Sequence, residues 1–155
     1  MDKLVNILKN KNKTISSMES CTGGMFASEL TNIEGSSYVF KLGLVTYSNE
    51  FKEHFGVSKN VIKEYTVYSK EVAKEMALNC FKIAKSDFVV GITGVLGNID
   101  PYNKTDEINK AYVSIYDKEK NIFLNYEIEP IGVDRKQKKE YIVNFVKEKL
   151  YEICK

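Results

Sequence analysis

Tryptophan is absent from this sequence, histidine occurs once (His54), proline twice and cysteine three times. One histidine excludes a histidine-rich metal site and any mechanism that needs two imidazoles. Cys21, Cys80 and Cys154 are odd in number and share no short spacing, so neither a disulfide framework nor a zinc site is indicated. No apolar run reaches the length of a membrane span, and the N-terminus lacks the apolar core of a signal peptide. The expected compartment is therefore the reducing cytoplasm, with no membrane partner. A dominant charge is also missing: the net charge is only +2, and basic residues are scattered among acidic ones. The clusters at 9–13 and 135–139 read as solvated faces, and no aromatic-interleaved basic stripe points to nucleic acid.

What the chain does have is an ordinary globular composition, 43% apolar and 28% charged, over 155 residues. That length makes one domain, residues 1–155, able to bury about two thirds of its unfolded surface. Leu4, Ile7 and Leu8 share one face of a short N-terminal helix. Residues 14–18 form a short strand that delivers the chain to Ser20. Residues 25–30 then read as helical, with Phe26 and Leu30 four apart. An apolar strand follows at 39–46, then two short helices at 49–55 and 58–65, the second capped by Ser58. Ser69 caps a longer helix reaching about Lys85, whose buried stripe is Val72, Ala73, Met76, Ala77, Cys80, Phe81 and Ala84. Residues 88–92 are a strand covered on both faces. Segments 111–116 and 121–128 alternate and form a hairpin. A final helix over about 134–153 turns Ile142, Phe145, Val146, Leu150 and Ile153 inward. Together these elements predict a mixed-sheet α/β layer fold. Only the stretch from Gly97 to Asn109 lacks a pattern, and a loop of that length in a compact domain is commonly functional or disordered.

The chemistry-bearing candidates begin where the first strand ends, at Glu19-Ser20-Cys21-Thr22-Gly23-Gly24. A strand running into a glycine turn and a helix leaves backbone amides unsatisfied and lets a ligand approach the chain closely. Those amides suit a phosphate or the oxyanion of a tetrahedral intermediate. The same letters also suit a plain glycine turn in which Ser20 or Thr22 caps the helix. Thr93-Gly94 ends a buried strand, a frequent ligand position in open α/β sheets and equally an ordinary turn. Cys21 reads as a small buried cysteine, His54 as a surface residue, and Glu19 as a buried hydrogen-bonding residue that fixes the turn.

The longer pattern is more specific. Glu19-Ser20-Cys21-Thr22-Gly23-Gly24, Gly35-Ser36-Ser37 and Val45-Thr46-Tyr47-Ser48-Asn49-Glu50-Phe51-Lys52 occur in order. Ser69-Lys70-Glu71-Val72-Ala73, Thr93-Gly94-Val95-Leu96-Gly97 and Asp134-Arg135 follow. This resembles the C-terminal domain of the competence/damage-inducible protein CinA, the family of nicotinamide-nucleotide amidohydrolases. The resemblance implies a three-layer α/β/α sandwich, a homo-oligomer, and hydrolysis of the carboxamide of nicotinamide mononucleotide, with no cofactor or metal. It implies that Ser20 is the nucleophile, Lys52 its base and Tyr47 a residue of the same site. Cys21, Thr22, Gly23, Gly24, Thr93 and Gly94 are then the expected substrate-binding positions. The substrate phosphate is expected on the helix amides after Ser20 with Arg135 or Lys110. Larger relatives carry an N-terminal domain resembling molybdopterin-biosynthesis proteins, for which 155 residues leave no room.

A lysine with a reference pKa of about 10.4 must fall toward ~7–8 to act as a base near neutrality. Burial achieves this by disfavouring the ammonium, and Phe51 and Phe55 beside Lys52 are the expected apolar surroundings. Three segments depart from the family. Its loop rich in glycine and proline, followed by Lys-Pro-x-Gly, is replaced by Gly97-Asn98-Ile99-Asp100-Pro101-Tyr102 and a strand opening Lys110-Ala111-Tyr112-Val113. Its Gly-Ala-Val-Ser before the long helix is Thr66-Val67-Tyr68-Ser69, and its second arginine after Asp134-Arg135 is Lys139. The nucleophile side is thus intact and the recognition side altered. That leaves two alternatives to nicotinamide mononucleotide hydrolysis: another amide substrate, or a nucleotide-binding or regulatory module with reduced turnover.

Overall fold

A computed structural model describes residues 1–97 and 100–155; Asn98 and Ile99, within the unpatterned loop, lie outside the described residues. Helix α1 (Asp2–Asn10) precedes β1 (Ile15–Glu19), α2 (Met25–Thr31), a 3-10 turn (Ser36–Tyr38) and β2 (Phe40–Val45). Then come α3 (Asn49–His54), α4 (Lys59–Tyr65), α5 (Lys70–Ala84), β3 (Phe88–Val95), the hairpin β4 (Lys110–Asp117) and β5 (Ile122–Ile128), and α6 (Arg135–Cys154). The five strands form one sheet in the order β2-β1-β3-β4-β5. β1 pairs parallel with β2 and β3, and β4 pairs antiparallel with β3 and β5. The sheet is therefore mixed, as expected.

Strand alternation sends successive side chains to opposite faces. On one face, Ile15, Val90, Ile92, Val113 and Ile115 meet α1, α2 and α6 through Leu4, Phe26, Leu30, Ile142 and Val146. On the other, Met18 and Val89 pack against Val72, Met76 and Ala77 of α5, with Val57, Val61 and Ile62 closing the edge. Helices on both faces make three layers, and each fully buried Leu, Ile, Met or Phe contributes roughly 1.5–3 kcal/mol. Gly91 lets α5 seat directly on the sheet, because a Cβ there would lie 2.1 Å from the Ala73 carbonyl oxygen. All three cysteines are buried and free. Among the described residues no helix is long and apolar enough to cross a membrane.

Serine and aspartate caps set three helix starts, two of them, Ser58 and Ser69, as read from the sequence. Ser58 accepts from the Val61 amide, Ser69 from Val72 and Asp134 from Gln137. Several expectations shift. β2 lies at the sheet edge with Lys41, Gly43 and Val45 exposed, so it is less buried than a central strand. The buried stripe of α6 is Ile142, Val143, Val146, Leu150 and Cys154, with Phe145 and Ile153 only half-buried at its border. β3 runs on to Val95, so Thr93 and Gly94 lie inside the strand, opposite Tyr112 and Ala111, and do not end it. The β4 ladder causes this extension. Gly94 permits it, since a Cβ would come within 2.6 Å of the Lys110 carbonyl oxygen.

Candidate active site

Glu19 is the last residue of β1 and sits between Val45 of β2 and Ile92 of β3. The ladder continues one step past it: the Ser20 amide donates to the Ile92 carbonyl at 2.9 Å, and Thr46 N donates to the Glu19 carbonyl at 2.9 Å. Ser20 thus leaves the sheet at the carboxyl ends of three parallel strands, where open α/β sheets form their clefts.

The turn that follows is fixed from within. Glu19 is fully buried, and its carboxylate accepts from Thr22 Oγ1 at 2.6 Å, Phe26 N at 3.1 Å and Ala27 N at 3.0 Å. Gly23 and Gly24 take φ of 61° and 91°, a region where L side chains are strained. Two of the helix amides expected to hold a substrate phosphate, those of Phe26 and Ala27, are taken by Glu19. The first free amides of α2 belong to Glu19, and Thr22 is spent on the same carboxylate. Among the described residues, the amides left without an acceptor in this turn are those of Cys21, Thr22 and Gly24.

Lys52 comes from α3, whose start is set by Ser48 accepting from the Phe51 amide. Its side chain runs inward and is only 2% exposed. The amine stands 3.0 Å from Ser20 Oγ and donates to the Thr46 carbonyl at 2.9 Å and the Tyr47 carbonyl at 3.4 Å. Burial lowers the lysine from 10.5 to about 8, against opposing pulls from Cys21 and Asp100. The expected aromatic walls are only partly present. Phe55 joins the core, whereas Phe51 is 51% exposed and packs edge-on against the exposed ring of His54. Cys21 is buried beside this pair, and burial pushes its thiol up to about 12.

Ser20, Cys21, Lys52 and Tyr47 line one cleft of about 730 Å³ together with Gly94 and Arg135. Tyr47 is exposed at the mouth, where its hydroxyl accepts from Arg135 at 3.4 Å. The remaining candidates stand elsewhere. Thr93 is buried and donates to the Val67 carbonyl at 2.8 Å, tethering the segment before α5. Lys110 does not line the cleft; its amine is held by Glu107 at 3.1 Å and Glu127 at 2.9 Å. Lys139, one turn beyond Arg135 on α6, approaches the Ser20 turn: a Cβ on Gly23 would lie 3.4 Å from its amine.

Sequence reasoning missed Val67, Tyr68, Asp100 and Asn103, all of which line the cleft. Tyr68 donates its hydroxyl to Asp100. Asn103 and Asn49 pair through their carboxamides at 2.8 and 3.2 Å, tying the loop to α3. For Val67, Tyr68 and Asp100 the signal was present in the sequence, as two of the three segments that depart from the family pattern. Their spatial convergence was not.

The model of the CinA C-terminal domain family matches residues 1–154. The chain belongs to this family. A Thermoanaerobacter pseudethanolicus protein bearing the name competence-damage inducible protein is 44% identical over 124 residues, 77% of this chain and 29% of the relative. Across the first three such relatives the covered share is 23–29%, so the chain spans about a quarter of their length. Among solved structures, a competence or damage-inducible protein from Enterobacter asburiae superposes with a TM-score of 0.91 at 23% identity, covering 99% of this chain and 94% of that one. A competence/damage inducible protein from Agrobacterium tumefaciens gives 0.87 at 25% identity, with 99% and 95% covered. The CinA C-terminal fold is thereby shared over the full chain.

Proposed function

We propose that this CinA-type domain hydrolyses the carboxamide of nicotinamide mononucleotide to nicotinate mononucleotide and ammonia, with Ser20 as nucleophile and Lys52 as general base. The observation that carries the reading is the 3.0 Å contact between Ser20 Oγ and a fully buried lysine amine lowered to about 8. A serine hydroxyl attacks an amide only when a positioned base takes its proton. In its neutral form Lys52 offers two N–H bonds to the Thr46 and Tyr47 carbonyls, which leaves the lone pair for the Ser20 hydroxyl.

The step sequence follows from these positions. Ser20 Oγ adds to the amide carbon as its proton passes to Lys52, and the Cys21 and Thr22 amides, which have no acceptor in this turn, are the candidate donors for the oxyanion. Lys52 returns the proton to the nitrogen, the C–N bond breaks, and ammonia leaves an ester on Ser20. Water then attacks that ester with Lys52 again as base, releasing the carboxylate and the serine. Arg135 at the mouth, with Lys139 behind it, replaces the helix amides and Lys110 as the phosphate site. The reading also includes a homo-oligomer, supported by the exposed hydrophobic side chains of Val45, Tyr47 and Phe51.

The test compares kcat/KM for nicotinamide mononucleotide, nicotinamide riboside and free nicotinamide. Losing a charge-assisted phosphate contact costs roughly 1.5–3 kcal/mol, so the mononucleotide should lead by about tenfold to a hundredfold or more. Equal values would remove the phosphate from the account, and no turnover of any of the three would remove the hydrolase.

A further inference from the structure

Asp100 lines the cleft with Ser20 and Lys52, and no step of the hydrolysis uses it. It is half-buried and pinned: Tyr68 Oη, Asn103 Nδ2 at 3.0 Å, Tyr102 N at 2.9 Å and Asn103 N at 3.2 Å all donate to its carboxylate. Burial pushes this carboxyl up, but the donors outweigh it and hold it below its ordinary value, so it is ionised wherever the enzyme works. Asn103 in turn pairs with Asn49 on α3, which stops the carboxylate from swinging out to solvent.

Among the described residues, the charged ones lining the cleft are Glu50, Lys52, Asp100 and Arg135. When Lys52 is neutral and ready to act as base, two carboxylates face one guanidinium. Glu50 and Arg135 are both solvent-exposed, so with Lys52 neutral the half-buried fixed charge in the cleft is that of Asp100. A planar ring brought to Ser20 is therefore better received if it carries a positive charge. We propose that Asp100 is a specificity residue that selects a cationic ring, making the substrate class N-substituted pyridinium carboxamides and disfavouring neutral aromatic amides. This rests on the hydrolase reading above and adds a discrimination independent of the phosphate.

The test uses binding, so that it does not require turnover. Dissociation constants of 1-methylnicotinamide, a cation without ribose or phosphate, and of neutral nicotinamide are measured by ligand-observed NMR on the full chain, above the Lys52 value of about 8 so that its amine is neutral. The measurement covers the wild type, Asp100→Asn and Tyr68→Phe. The wild type should favour the cation by on the order of tenfold, the scale of one screened charge pair. Asp100→Asn keeps the side chain's shape and should reduce the preference to within about twofold, whereas Tyr68→Phe breaks the loop contact but retains the charge and should preserve it. An unchanged ratio in Asp100→Asn, no preference in the wild type, no binding of either compound, or equal collapse in both variants would overturn the proposal. Hydrolysis of the mononucleotide without cation preference sinks this proposal alone. Cation preference without ammonia release sinks the hydrolase reading and leaves ring selection by Asp100 standing.

Discussion

The Lys52 amine lies 3.0 Å from the Ser20 hydroxyl oxygen although 32 residues separate them in the chain. Two short pieces of geometry create the contact. Glu19 locks the turn that carries Ser20, and the Ser48 cap starts α3 so that Lys52 points under the end of β2 toward the Thr46 carbonyl.

The rate should follow the ionisation of Lys52. The proposed base is the free amine, so kcat/KM should rise as pH increases through about 8 and then level. Asp100 opposes the burial effect, so Asp100→Asn should move the rising limb to lower pH. A pH–rate profile that is flat between 6 and 9, on the order of ten measured points, would contradict the assignment of Lys52 as the base.

Burying an amine that can ionise costs stability. With the lysine at about 8 folded and 10.5 unfolded, both states hold the proton below pH 8 and the penalty is complete; it disappears as pH rises from 8 to 10.5. The penalty at neutral pH is roughly 3 kcal/mol. Lys52→Met should therefore stabilise the fold at pH 7 by about 1–3 kcal/mol, less the unpaired Thr46 carbonyl, while abolishing turnover. Urea unfolding at pH 7 and pH 10.5 checks this: the stabilisation should shrink at the higher pH.

Cys21 lies next to the proposed nucleophile in sequence, yet its buried thiol is pushed up to about 12 and holds almost no thiolate at neutral pH. Cys21→Ala should keep activity within about fivefold of wild type, whereas Ser20→Ala should lose about a hundredfold or more. Steady-state ammonia release by the two variants decides between the residues. A dead Cys21→Ala with an active Ser20→Ala would reverse the assignment.

Thr66 occupies φ 65°, ψ 168°, a conformation in which a β-branched residue is strained, and the family pattern has glycine at this point. Its hydroxyl partly compensates by accepting from the Tyr68 amide at 3.2 Å. Strain of roughly 1–3 kcal/mol exceeds the entropy cost of glycine, about 0.5–1 kcal/mol, so Thr66→Gly should raise stability by about 1 kcal/mol. A thermal melt showing a rise of about 2–4 °C supports this, and a fall refutes it.

What the sequence disclosed depended on how local each signal is. Ser58 and Ser69 each announce a helix start within three residues of the amide they cap, so these boundaries were readable. The end of β3 was not, because its last residues are kept extended by Lys110 and Ala111, which lie beyond the unpatterned loop. The same reason explains the site. Ser20 was legible as part of a turn signature, whereas its helix amides looked available because nothing local says that Glu19 folds back to take them. Lys110 read as a free cation, and only tertiary structure brings Glu127 to it. Asp100 and Tyr68 sat in segments marked as departures, and the fold is what makes them face each other.

The central claim is that the Ser20–Lys52 pair hydrolyses a nucleotide amide, and it is tested most directly by following ammonia release from nicotinamide mononucleotide. Wild type, Ser20→Ala and Lys52→Arg are compared at pH 8 and matched concentration. Arginine keeps the charge but, with a pKa above about 12, cannot act as base. The account predicts steady release by the wild type and a loss of about a hundredfold or more in both variants, each still folded. Release by Lys52→Arg at the wild-type rate, or no release by the folded wild type, would contradict it.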